Sequence, residues 1–139
     1  MSRVINTDGP GKRRNQLMRT SAEMLRRLSQ KSAIDDESKD MFALLIFSLR
    51  EIEEGIDESA LAWEKRDYWM KAEEFRQRWQ WAGLMAGELE VLVMQNEWGR
   101  VPQFMVKLFP YFADVKITKF TRKEEAWQGC YNKLISERR

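Results

Sequence analysis

Carboxylates three residues apart are the first residues in this chain whose spacing could carry a reaction. Glu51 and Glu54, then Glu64 and Asp67, would each share one face of a helix. Two such pairs can hold Mg²⁺ against a diphosphate. The groups that usually work beside carboxylates are absent. The chain has no His, and so neither the commonest general base nor the commonest transition-metal ligand. Cys130 is the only cysteine, which leaves it without a disulfide partner and without an activating imidazole. A small apolar role in a reducing cytoplasm is expected for it. The glycine-rich phosphate loops, the paired-cysteine zinc spacing and the serine nucleophile elbow do not occur. The expectation is a protein without catalysis, metal or cofactor.

Positive charge is distributed more tellingly. Residues 1–31 hold eight Lys/Arg against two acids, residues 32–58 two against nine, and residues 101–139 eight against four, within a net charge of only +2. Basic ends around an acidic middle point to a polyanionic partner, nucleic acid first. Cations that neutralise phosphates release condensed counterions, and this drives binding without base readout. The candidate phosphate contacts are Lys12, Arg13, Arg14, Arg19, Arg26, Arg27 and Lys31. Replacing Arg19, Arg26 and Arg27 with Glu is expected to abolish binding without unfolding the protein. A plainer reading stays open beside it: the basic first segment pairs with the acidic second, and the external field is largely cancelled.

Aromatic and basic residues also interleave between Trp63 and Trp81. Aromatic faces stack on unpaired bases while neighbouring Arg residues reach phosphates. The seam positions Tyr68, Phe75 and Trp79 read as core, whereas Trp63, Trp69 and Trp81 read as surface anchors. With Arg76 and Arg78 they form the candidate partner-binding group. Cover by the C-terminal segment is the alternative for these tryptophans.

The elements that must position these groups are helical. Apolar residues are 43% of the chain and aromatics 12%, enough for one core. No apolar run is long enough to cross a membrane, and Met1–Asn6 lacks the apolar stretch of a signal peptide. The expected architecture is all-α: a flexible basic arm over 1–11 and a single bundle of four or five helices over 12–139. A first amphipathic helix should span about Lys12–Lys31, with Glu23 the one acid on its basic face. A second begins after Asp35 and carries Met41–Phe47, apolar on every side. Gly55–Ser59 is either a turn or a weak point in a longer helix. One long central helix is expected over about 60–97, with a seam of Leu61, Tyr68, Ala72, Phe75, Trp79, Ala82, Ala86, Leu89 and Val93. Ala82-Gly83 and Ala86-Gly87 would let another backbone approach. Pro102 opens a short helix, Val115–Phe120 is an extended linker, and Thr121-Arg-Lys-Glu124 reads as a capping box for a last helix.

The letters Glu51-Ile-Glu-Glu54 and Glu64-Lys-Arg-Asp67 resemble the ExxE and ExxD pairs of the all-α MazG-like nucleotide pyrophosphohydrolases. The resemblance covers about 17 residues and implies Mg²⁺-dependent nucleotide hydrolysis by pairs on two packed helices. In size, helical character and basic edges the chain is also similar to small accessory subunits of ribonucleoprotein machines, including those of CRISPR effector complexes. That likeness is one of architecture rather than motif. The leading expectation is therefore a non-catalytic, nucleic-acid-associated accessory protein. A protein–protein scaffold or self-associating bundle comes second, and the MazG-like hydrolase third.

Overall fold

The structure, a computed structural model, describes residues 9–137, which are helical with no strand among them. Helix α1 (Pro10–Ser29) starts with a proline in its first turn, where no backbone N–H is needed. It thus begins two residues before the expected Lys12, and most of the proposed arm, residues 1–8, lies outside the described residues.

Asp35 caps α2 (Asp36–Glu64) by accepting from the Ser38 N–H at 2.7 Å, and Asp36 and Glu37 sit in its positive first turn. The helix runs unbroken through Gly55 and Ser59, so the suspected turn there does not form. It is the central element, and α1, α3, α5 and α6 all pack on it. Phe42, Leu45, Ile46, Leu49 and Ile52 are buried on several of its sides, as the all-round apolar Met41–Phe47 run requires.

The single long helix expected over 60–97 is split in two. Asp67 adopts a left-handed φ of 67°, while the Tyr68 N–H bonds the Trp63 carbonyl and the Asp67 N–H bonds that of Glu64. This is a Schellman stop, made by aspartate in place of the usual glycine. The chain reverses and α3 (Trp69–Met94) returns along α2. Asn96, at φ 56°, ends α3 the same way, with Glu97 bonding back to Leu92. Because the reversal falls inside the predicted seam, Leu61 and Tyr68 are exposed. Ala72, Ala82, Ala86, Leu89 and Val93 are buried as expected, with Phe75 and Trp79 packed against the core at its edge.

A 3-10 turn (Trp98–Arg100) leads into α4 (Val101–Leu108), whose Phe104 and Leu108 close the core. A second 3-10 turn (Phe109–Phe112) and a turn at 113–114 precede a strap without helix or strand over 115–123. The one-turn α5 (Glu124–Trp127) and α6 (Cys130–Ser136) follow, separated by Gly129 at φ 83°. Both dock on α2, where the Asp40 carboxylate accepts from the Tyr131 N–H at 2.8 Å. The predicted Thr121 capping box does not form. Lys123 holds the N-cap position of α5, and Thr121 turns its N–H and hydroxyl to Glu23 instead. No described helix is long and apolar enough to cross a membrane.

Candidate nucleic-acid interface

The basic residues of α1 have separate fates. Arg13 pairs with Glu51 at 2.7 Å, and Lys31 pairs with Asp35 and Glu37. That pairing raises the lysine and holds the Asp35 carboxyl far below the usual range. Arg14 lies over the rings of Phe75 and Trp79. Lys12 is exposed at the start of the helix. To this extent the first segment does neutralise part of the acidic second.

Arg19 and Arg27 do something else: they grip the strap. Arg19 donates to the carbonyls of Lys116 and Lys119 at 3.2 and 2.7 Å, and Arg27 donates to that of Arg122 at 3.1 Å. The Arg27 guanidinium also sits 4.1 Å from the Phe120 ring and 4.9 Å from that of Trp127. Arg122 reaches back to Thr20 and Gln16. The expected outcome for the Arg19/Arg26/Arg27 substitution changes accordingly. Two of those three side chains secure the fold, so their loss would release the strap.

The centre of this junction is Glu23, the lone acid on the basic face, which is wholly buried. Its carboxylate accepts from Arg19 at 2.7 Å, from the N–H groups of Thr121 and Arg122 at 2.8 Å each, and from the Thr121 hydroxyl. Burial alone would raise its pKa. The Arg122 N–H, the Thr121 hydroxyl, Arg19 and the Thr121 N–H outweigh that and lower it to about 2. One ionised carboxylate thus joins two segments of like charge.

The consequence lies on the outside. The strap's Val115 and Ile117 pack against the core, which sends Lys116 outward, and Lys119 and Lys123 are also exposed. Arg26 is exposed on α1 and lines the same hollow as Val115 and Ile117. Among the described residues none of these four cations has a carboxylate partner within 4.0 Å. Sequence reading listed Arg26 but missed the three strap lysines. The alternation Val115-Lys-Ile-Thr118 is a signal for Lys116 alone, since at period two Lys119 falls on the side of Val115 and Ile117 and Lys123 lies beyond the segment.

The tryptophan group is divided as well. Trp81 is covered by the C-terminal segment, stacked on Tyr111 at 4.3 Å and 8° with Phe112 at its edge. Trp63 packs edge-on against Phe75 at 4.8 Å, and Trp69 stands 60% exposed at the α2–α3 reversal. Arg76 is held by Glu64 and Asp57, whereas Arg78 is exposed on α3.

The carboxylate pairs do not meet. Glu51, Glu54 and Glu64 share α2, and Asp67 lies in the turn that ends it, not on a second packed helix. Ten residues at 1.5 Å rise place the pairs about 15 Å apart. Glu51 and Glu64 are each engaged by an arginine, and no group of three His, Cys, Asp or Glu among the described residues is placed to hold a metal. Comparison with protein-family models, curated proteins and solved structures finds no match to this chain.

Proposed function

We propose that this protein is a non-catalytic, cytoplasmic nucleic-acid-associated accessory protein that binds phosphate backbone through the face formed by α1 and the strap. The observation that carries the reading is the outward set Arg26, Lys116, Lys119 and Lys123, assembled over the buried Glu23, with the exposed Asp114, Glu124 and Glu125 at the ends of the strap. Gathering like charge on one face is electrostatically unfavourable unless a polyanion relieves it. The contacts would be to phosphate and carry no base sequence information.

The direct test is fluorescence anisotropy with labelled oligonucleotides on the wild type and on an Arg26→Glu/Lys116→Glu/Lys119→Glu variant. All three side chains point outward, so thermal stability should hold while affinity falls by at least tenfold at low salt. Equal affinity in a folded variant would remove the proposed face. A protein–protein scaffold is the second reading, favoured by the exposed Leu84 and Val91 that flank Gly87 on α3, where an added Cβ meets nothing within 4 Å. It predicts sedimentation above the monomer mass without nucleic acid.

A further inference from the structure

The α2–α3 reversal is the most exposed aromatic part of the molecule. Trp69 is 60% exposed, Tyr68 50%, Met70 79% and Leu61 52%, although three of these four residues immediately adjoin a helix stop that fixes their backbone. Tyr68, Trp69 and Met70 border an open concavity of about 690 Å³ with Trp63, Arg66 and Lys71 on its walls. α1 begins beside Glu54 and Glu58, and among the described residues no third helix covers the end of this hairpin. Lys65 lies about 20 Å beyond the Arg13–Glu51 pair at 1.5 Å per residue.

Burial does not account for these side chains, and neither does ring pairing. Among the described residues no ring and no cation is stacked on Trp69. The rings beside it are flanked by positive charge: the Arg66 guanidinium is 5.3 Å from the Tyr68 ring and the Lys71 ammonium 4.8 Å from that of Trp63. Lys65, Arg66 and Lys71 stand against Asp67 in the tip itself. A free indole face beside cations matches a flat π-system joined to a phosphate better than it matches an aliphatic protein surface.

We infer that the hairpin tip is a stacking site for an unpaired nucleobase, with Trp69 as the platform and Arg66 and Lys71 beside the phosphates. The inference rests on the nucleic-acid reading and narrows it to single strands, since a base within a duplex has both faces stacked on its neighbours. The strap face holds the backbone, and the tip takes a base farther along the same strand.

The test measures anisotropy of the full chain with a single-stranded oligonucleotide and with its duplex, for wild type, Trp69→Ala and Trp69→Phe. Trp69→Ala should weaken single-strand binding by about tenfold or more, the usual effect of losing one stacked aromatic. Duplex affinity and thermal stability should stay unchanged, and Trp69→Phe should recover most of the loss. Unchanged single-strand affinity in Trp69→Ala overturns the stacking site while leaving the strap face standing. So does a wild type that prefers duplex. Absence of any oligonucleotide binding overturns both. If Trp69→Ala instead converts a sedimenting dimer to monomer with no change in oligonucleotide affinity, the tip is a contact between copies and the inference fails.

Discussion

Two regions of this molecule use the same residue types to opposite ends. At the α1–strap junction, Arg19, Arg27 and Arg122 meet aromatic rings, carbonyls and one carboxylate, and they are spent on holding the chain to itself. At the α2–α3 tip, Arg66 and Lys71 also meet aromatic rings, but Trp69 and Met70 beside them remain open to solvent. What separates the two is an acceptor and a cover. Glu23 and the strap supply both at the junction, and nothing among the described residues does so at the tip. An arginine next to an aromatic therefore reports function only after its acceptors are known.

The contrast can be broken most forcefully at Glu23. Glu23→Ala leaves Arg19 without its carboxylate and strips the acceptor from two strap N–H groups. A loss of about 3–5 kcal/mol is expected, the range for removing one partner of a buried ion pair. Chemical denaturation would show it, and a loss below about 1 kcal/mol would mean that the strap is held elsewhere. Acid should reach the same joint more gently. The folded pKa of about 2 lies below the ordinary 4.5, so the carboxylate's contribution is complete above about pH 4.5 and is lost as pH falls toward 2. Glu23→Gln should flatten that part of the stability–pH profile. An unchanged profile would contradict the assignment.

Helix stops give a smaller effect of opposite sign. Asp67→Gly relieves a left-handed residue at the tip without touching the junction, and should raise stability by roughly 0.5–1 kcal/mol. A decrease would show that the Asp67 side chain does more than tolerate its φ. The smallest effect belongs to Trp69→Ala. An uncovered ring contributes little to the fold, so the variant's folding free energy should match wild type within about 0.5 kcal/mol, as is typical of surface changes. A large loss would place Trp69 in the core and dissolve the contrast.

The sequence made the contents of the core legible because a buried apolar run has a period. Met41–Phe47 and the α1 stripe needed only that signal, as did the buried half of α3. The bend at Asp67 did not announce itself. A glycine would have, but aspartate and asparagine enter the left-handed region quietly, so the seam was drawn straight through a corner. The candidate face was half legible. Arg26 could be read from the first helix, yet Arg19 and Arg27 looked identical to it in a helical projection. Only the strap, some 90–100 positions away in the chain, separates grips from contacts. Glu23 appeared as a blemish on a basic stripe, and Thr121 as a cap. Their hydrogen bond is a tertiary event that neither local pattern contains.

If the outward cations of the strap face bind phosphate and the inward ones do not, the salt dependence of binding will separate them. The quantity to compare is the slope of log affinity against log salt for wild type and for Arg26→Ala/Lys116→Ala/Lys119→Ala, both shown to be folded at each salt. Each phosphate contact contributes about 0.7–0.9 to that slope. The variant's slope should be shallower by roughly 2–3 at unchanged thermal stability. Superimposable slopes would contradict it, and would mean that these side chains face only water.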